Sequence, residues 1–366
     1  MKSFIKGIVL DIRRRPALFY ILASLLVTVL LGAGWLYYSH SFKKELPQKG
    51  FLAEDQLFPG SPGSAYKNLD LRIVARANYE GGQIKKIKDL GIINNVAESV
   101  ISFHVAADNL DEYALMTQPT TPRPPQGYPV IILCHGYATP RIYSTTTYYL
   151  ADMVEYSKSG FVVIKPDFRG QGLSLHIGSP EGAYYSMAYN TDLMSLLSSV
   201  RKTGFIDKSN ISLWGHSMGA YIALRAAVLS PDIKNLILLS GPVGNIQDMY
   251  RSYIPISDRN NPIANNIKQA VLLRYGSPLS DPKFWNATSP LSYLNQLKAN
   301  VQIYVGSDDR VVPPRFSADL NRALNLIHKQ HQYFVYPSGA HGLLDERDQI
   351  YANSLKLLKP KTSASG

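Results

Sequence analysis

Short apolar runs alternate with amphipathic segments along most of the chain, from about residue 96 onward. The apolar runs have the length and continuity of strands that are buried on both faces. They lie at residues 130–133, 161–164, 211–214, 236–239, 301–305 and 333–336. The segments between them have helical periodicity and lie near residues 145–158, 187–202, 218–229 and 315–328. This alternation predicts an α/β fold, with a mainly parallel central sheet and helices on both faces.

An apolar run of a different kind lies near the N-terminus. Residues 17–38 contain no charged side chain, and as a helix they would reach about 33 Å, enough to cross a bilayer core. Five Lys and Arg side chains precede the run and three follow it, which favours a cytoplasmic N-terminus and an extracytoplasmic main domain. We therefore expect a single-pass membrane anchor. Small residues at 32–34 leave open a cleaved signal peptide, and a buried core helix is the other alternative.

The anchor prediction divides the rest of the chain. Residues 1–16 form a basic cytoplasmic tail, and residues 39–95 form a stalk followed by an ambiguous segment. The part of it from residue 67 is either an extra hairpin packed on the main domain or an ordered linker. The main domain is predicted at residues 96–358, with a small insertion at 242–298, and a flexible tail follows at 359–366.

Charge and cysteine content exclude several classes of protein. The 366 residues carry a net charge of +11, but eight of the Lys and Arg side chains lie in the first 49 residues, and the remainder forms no basic run. This distribution argues against nucleic-acid binding. The single cysteine, Cys134, excludes a disulfide within the chain and a zinc site built from cysteines, and its place on a predicted strand indicates a core residue.

Candidate chemistry begins at residues 215–219, Gly-His-Ser-Met-Gly, which fit the pattern G-x-S-x-G. The pattern alone is weak, but here a predicted strand runs into it and a predicted helix follows at once, as a nucleophile elbow requires. Gly215 and Gly219 allow a tight, strained turn in which a Cβ would clash. Ser217 is therefore the candidate nucleophile, held above the carboxyl edge of the sheet, and His216 is interpreted as structural.

A nucleophilic serine needs a base, and the base needs an acid that orients it. Two aspartates, Asp308 and Asp309, follow the predicted strand at 301–305, and the residues alone leave both open. His341 follows the last predicted strand and is flanked by glycines, whereas His328 and His331 lie at a polar helix end. The expected order of acid after serine and histidine after acid is satisfied, so His341 is the candidate base.

Acyl chemistry also needs donors for the developing oxyanion. The backbone N–H groups of Tyr137, which follows the strand at 130–133, and of Met218 are suitably placed for this role. Asp167 and Arg169 are interpreted as braces of a neighbouring loop. No metal ion or organic cofactor is implied.

These segments together resemble the α/β-hydrolase superfamily and, within it, the catalytic domain of prolyl-oligopeptidase-like serine hydrolases. The similarity covers roughly residues 97–358 and is carried by residues 128–137, 165–174, 213–219, 306–313 and 339–342. In the acid motif of that family the catalytic aspartate stands three residues after the glycine, which here is Gly306. The resemblance therefore implies Asp309 as the acid.

The resemblance has two departures that concern the substrate. Peptidases of this family usually carry an N-terminal β-propeller. The roughly 50 residues between the predicted anchor and the hydrolase domain are too few to form one. The acidic pair with which exopeptidases of the family hold a substrate amine belongs to that missing part. We expect a membrane-anchored serine hydrolase that acts on small esters or short peptides, with esters preferred. The insertion, with Tyr250, Tyr253 and Trp285, is small enough to line an acyl pocket. An acyltransferase and a non-catalytic binding protein with the same fold are the other candidates.

Overall fold

A computed structural model describes residues 69–359, apart from residues 75, 78, 140, 176–185 and 254–261. For residue 73 and residues 262–267 it describes the backbone only. The predicted anchor, the stalk up to residue 66 and the tail from residue 360 lie outside these residues. Within the described part of the chain, no helix combines the length and the apolar character that crossing a membrane requires.

A nine-stranded sheet forms the centre of the fold, with the strand order β1-β2-β3-β5-β4-β6-β7-β8-β9. The strands are β1 (Lys85–Ile93), β2 (Val96–Val105), β3 (Leu110–Pro119), β4 (Tyr128–Cys134), β5 (Val162–Pro166), β6 (Ile206–His216), β7 (Ile233–Leu239), β8 (Asn300–Gly306) and β9 (His331–Tyr336). Strands β4 to β9 pair in parallel, whereas β1, β2 and β3 are antiparallel and β3 joins β5 in antiparallel fashion. The predicted mainly parallel sheet is therefore present.

Helices cover both faces of the sheet. In chain order they are α1 (Leu71–Val74), α2 (Leu150–Lys158), α3 (Ala188–Arg201), α4 (Met218–Leu229), α5 (Ile246–Ser252), α6 (Pro262–Tyr275), α7 (Pro282–Thr288), α8 (Arg315–Leu326) and α9 (Arg347–Leu358). Short 3-10 turns lie at Gly172–Ser174 and Pro290–Gln296. Apolar side chains of α3, α4 and α8 contribute to one core cluster, and those of α2 and α9 contribute to the other.

The alternation of side chains along β4 shows why the central strands read as continuous apolar runs. Val130, Ile132 and Cys134 pack into the first cluster, while Ile131 and Leu133 pack into the second. Successive side chains of a strand point to opposite faces, and both faces are covered here, so every position is apolar.

The segment left ambiguous by the sequence contributes to the sheet, because β1 pairs with β2 as an antiparallel hairpin. The residues between β7 and β8 carry α5, α6, α7 and the second 3-10 turn. The connection is thus helical where the structure describes it.

The parallel strands deliver their following loops to one edge of the sheet. Cys134 of β4 lies beside Gly215 of β6, so the loops after these strands are neighbours. At the other side Gly306 of β8 pairs with Tyr336 of β9. The carboxyl ends of parallel strands form the usual binding crevice of open α/β sheets.

Candidate active site

Ser217 lies in the sharp turn between β6 and α4. Its backbone adopts φ 53° and ψ −123°, a conformation that non-glycine residues rarely adopt. The turn is held by the Ser217 N–H, which donates to the carbonyl of Leu239 at 2.9 Å. This strand–turn–helix arrangement presents the Ser217 hydroxyl at the carboxyl edge of the sheet.

The two glycines of the turn lie where a side chain would collide with the main chain. A Cβ on Gly215 would lie 2.5 Å from the carbonyl oxygen of Gly219. A Cβ on Gly219 would overlap the carbonyl group of Cys134 in β4. The glycines therefore allow α4 to pack closely on the strand that carries the neighbouring loop.

Ser217, His341 and Asp309 form one hydrogen-bonded row. The His341 Nε2 lies 2.9 Å from the Ser217 Oγ, and the His341 Nδ1 lies 2.8 Å from the Asp309 Oδ2. A carboxylate only accepts, so Nδ1 carries the proton and Nε2 accepts from the serine hydroxyl. The second carboxylate oxygen of Asp309 accepts the N–H groups of Val311 and Val312, both at 2.9 Å, which fixes the carboxylate in its loop.

The alternative acid and base candidates have other partners. The Asp308 side chain is half exposed and pairs with Arg310, with 3.0 Å between its Oδ1 and the Arg310 Nε. His331 contacts the carbonyl of Lys329 and the side-chain oxygen of Asn321. The exposed His328 lies in the turn after α8. The structure brings none of these three residues into the row.

The loop after β4 runs beside the elbow. A Cβ on Gly136 would lie 3.3 Å from the Ser217 Cβ, so this loop runs beside the serine. Tyr137 is the next residue along it. On the other side Met218 opens α4, and its N–H belongs to the first turn, where helical amides lack intrahelical partners. The two proposed oxyanion donors thus belong to the two segments that flank Ser217.

Two buried histidines flank the row without belonging to it. The His135 Nδ1 donates to the carbonyl of Gly136 at 2.7 Å, and the His216 Nε2 donates to the backbone carbonyl of His341 at 2.9 Å. Burial lowers the pKa of each of these histidines to about 3, so both are neutral at physiological pH. Their roles are structural contacts with the loops that carry the candidate chemistry.

Tyr149 is a site neighbour that the sequence did not reveal. Its hydroxyl lies 2.5 Å from the His216 Nδ1 and accepts the N–H of Gly136 at 3.2 Å. The residue stands in a run of tyrosines and threonines before α2, where no motif marks one hydroxyl over another.

A buried polar network supports the loop that follows β5. Arg169 forms ion pairs with Asp108 and Asp192. Asp167 accepts the Tyr143 hydroxyl at 2.7 Å. These contacts agree with the interpretation of Asp167 and Arg169 as braces. Within the part of the chain that the structure describes, no group of three His, Cys, Asp or Glu side chains could hold a metal ion.

Two of the aromatic residues named for the 242–298 segment, Tyr253 and Trp285, are buried. Trp285 is fully buried, and its indole N–H donates to the carbonyl of Gly276 at 3.0 Å. Tyr253 is also buried and lies edge-on to Phe316. Trp285 therefore belongs to the packing of the segment, which corrects the expectation that it lines an acyl pocket.

The sheet order and the strand–turn–helix elbow are those of the α/β-hydrolase fold. The profile of the prolyl oligopeptidase family matches residues 142–359, more than half of the chain. The chain belongs to the prolyl oligopeptidase family.

Acylamino-acid-releasing enzymes are among the curated relatives. The enzyme of Rattus norvegicus is 24% identical over 249 residues, which are 64% of this chain and 31% of the relative. The enzyme of Homo sapiens is 24% identical over 248 residues, again 64% of this chain and 31% of the relative. The chain therefore spans about a third of the length of the curated relatives it matches.

Solved structures share the fold at low sequence identity. An acetyl xylan esterase from Paenibacillus sp. R4 matches with a TM-score of 0.60 and 16% identity, covering 83% of this chain and 99% of that chain. Dipeptidyl peptidase 4 of Porphyromonas gingivalis matches with a TM-score of 0.54 and 18% identity, covering 72% of this chain and 35% of that chain. Esterases and peptidases thus both share this fold.

Proposed function

We propose that the protein hydrolyses carboxylic esters or short peptide bonds through an acyl-enzyme intermediate on Ser217. The observation that carries the proposal is the hydrogen-bonded row of Ser217, His341 and Asp309 at a strained elbow. Nucleophile, base and orienting acid at these distances are what acyl transfer by a serine requires.

In the proposed mechanism His341 moves one proton in each half-reaction. Its Nε2 takes the proton of the Ser217 hydroxyl as the oxygen attacks the acyl carbon, and it then gives that proton to the leaving group. In the second half it removes a proton from water as the water attacks the acyl carbon, and it returns that proton to the Ser217 Oγ as the bond between the acyl carbon and Oγ breaks and the acid leaves. Asp309 holds the Nδ1 proton throughout, which keeps Nε2 free to act as the base.

The Tyr137 and Met218 N–H groups are proposed to stabilise the oxyanion. The course of the Gly136 loop, where an added Cβ would lie 3.3 Å from the Ser217 Cβ, and the place of Met218 at the start of α4 support this assignment. Donors fixed before the reaction stabilise developing charge without rearrangement.

We propose esters as the preferred substrates. An alkoxide departs more readily than an amine anion, so an ester demands less proton donation from His341. A serine peptidase is the second candidate, and membership in the prolyl oligopeptidase family favours it. Among the curated relatives are enzymes named for releasing acylamino acids, which fit the same alternative.

Covalent labelling with a fluorophosphonate tests the nucleophile. We expect the wild-type protein to be labelled on Ser217, and Ser217→Ala to lose labelling together with about three to six orders of magnitude in kcat/KM on an activated ester. Retention of more than a tenth of the wild-type rate would rule out Ser217.

Substrates with a shared acyl group separate the two candidate activities. The comparison uses a p-nitrophenyl ester, a p-nitroanilide and a set of unactivated tripeptides. We expect faster turnover of the ester, and tripeptide cleavage at about 10⁴ M⁻¹s⁻¹ or more would make the protein a peptidase. Added alcohol acceptors in the same assay reveal any acyl transfer.

We also propose that residues 17–38 anchor the protein in a membrane, with the N-terminus in the cytoplasm. The uncharged run and the five basic side chains before it support this proposal.

A further inference from the structure

The peptides on either side of Gly136 are each held by a side chain. The Gly136 N–H donates to the Tyr149 hydroxyl at 3.2 Å, and the Gly136 carbonyl accepts from the His135 Nδ1 at 2.7 Å. A planar trans peptide points its N–H opposite to its carbonyl. The His135 contact therefore aims the N–H of Tyr137 away from the His135 ring, and the loop has a defined orientation before substrate arrives.

Through His216, the Tyr149 hydroxyl also connects this loop to the segment that carries His341. It lies 2.5 Å from the His216 Nδ1, while the His216 Nε2 lies 2.9 Å from the carbonyl oxygen of His341. That carbonyl only accepts, so Nε2 carries the single proton of the neutral ring and Nδ1 accepts from the tyrosine. The direction of every hydrogen bond is thereby fixed, from Gly136 through Tyr149 to His216, and from His216 to His341.

This chain of contacts joins segments that the sheet keeps apart. The loop of Gly136 follows β4 and the loop of His341 follows β9, with β6, β7 and β8 between them. His216 stands between the two loops at the end of β6, and its ring centre lies 4.8 Å from that of His341. Neither loop reaches the other through the sheet hydrogen bonds.

We propose that Tyr149 and His216 are positioning residues. They hold the loop of Gly136 and Tyr137, and the backbone of His341, at fixed positions relative to Ser217. The proposal rests on the proposed function, since the positions of these two segments matter only if Ser217 attacks an acyl carbon. A shift of about 1 Å in either loop would separate the oxyanion donor from the base, and misplacements of this size cost about 100-fold in rate.

Tyr149→Phe removes the central hydroxyl and keeps the ring. We expect kcat on an activated ester to fall about 10- to 100-fold, with KM within about twofold, because the donors act on the transition state and not on bound substrate. The matched control is Tyr148→Phe, which removes the adjacent hydroxyl; its ring packs edge-on against Tyr149. An unchanged kcat in a folded Tyr149→Phe protein would overturn the proposal.

His216→Asn removes the hydrogen bond from residue 216 to the His341 carbonyl, because the shorter Asn side chain does not reach that oxygen. If Tyr149 and His216 act together, the kcat of the double variant is no more than about threefold below that of the less active single variant. The effects of contacting residues that act as a unit are non-additive. Losses that multiply would mean two independent packing defects and would overturn the proposal. Melting temperatures equal to that of Tyr148→Phe show that the rate changes are not caused by unfolding.

The labelling experiment distinguishes this proposal from the function on which it rests. If Ser217→Ala keeps its activity, the proposed nucleophile is wrong. If Ser217→Ala is inactive while Tyr149→Phe and His216→Asn react like the wild type, the nucleophile stands and the positioning role is wrong.

Discussion

Asp308 and Asp309 are neighbours at the end of β8 with opposite surroundings. The Asp309 side chain is fully buried, bonded to His341 and to two backbone N–H groups. The Asp308 side chain is 53% exposed and pairs with the more exposed Arg310. An exposed ion pair of this kind contributes little to stability. A buried carboxylate that orients a base controls the tautomer of that base.

The two aspartates therefore provide a matched pair of variants. Asp309→Asn is expected to lower kcat by about 10³- to 10⁴-fold, because an amide no longer selects the Nδ1–H tautomer of His341. Asp308→Asn is expected to stay within about twofold of wild type. Steady-state kinetics on one activated ester measure both, and a reversed order of the two losses would assign the acid role to Asp308.

Sequence reasoning at this scale depended on the family resemblance. The residues alone left Asp308 and Asp309 open, since both follow the same strand, and only the spacing from Gly306 in the family motif favoured Asp309. The structure brings the Asp309 carboxylate to His341. Tyr149 was missed because a hydrogen bond between residues 67 positions apart in sequence leaves no local pattern.

The elbow and the strand beside it act as a unit at the scale of elements. Gly219 lies in the first turn of α4 against the main chain of β4, and the two elements can approach only because it has no side chain. Main chain is harder to displace than the end of a flexible side chain, so the position tolerates no substituent.

Gly219→Ala is accordingly expected to reduce the free energy of unfolding by about 2–3 kcal/mol or more, because the new Cβ overlaps the Cys134 carbonyl. Gly204→Ala is the control, since a Cβ there meets nothing within 4 Å, and its effect is expected to stay within about 0.5 kcal/mol. Urea unfolding monitored by circular dichroism measures both. Equal stability of the two variants would contradict the close approach of α4 to β4.

Most of the strands that were predictable from sequence are buried along nearly all of their apolar run, whereas β9, predicted in the same way, is only half-buried. All six predicted apolar runs fall on strands of the parallel part, β4 to β9. β1 was not identified because nearly all of its residues are exposed and three are lysines, so it lacks the apolar signal. Its place in the sheet comes from pairing with β2, which no local pattern encodes.

At the scale of the whole molecule the charge of the chain is unevenly distributed. Eight Lys and Arg side chains lie within the first 49 residues, on both sides of the uncharged run at 17–38. Basic side chains are retained on the cytoplasmic side of a membrane, and the larger group of five precedes the run. The proposed topology places the catalytic domain on the opposite side.

The proposed anchor predicts how the full-length protein fractionates. We expect it to stay in the membrane fraction after a carbonate wash, and protease added to the outer face of intact spheroplasts to digest the main domain. The control variant Leu26→Arg/Leu30→Arg places two charges in the middle of the run, each costing about 2.5–3.5 kcal/mol on insertion, and is expected to be released by carbonate. Protection of the wild-type domain from external protease would reverse the topology, and release of the wild type by carbonate would remove the anchor.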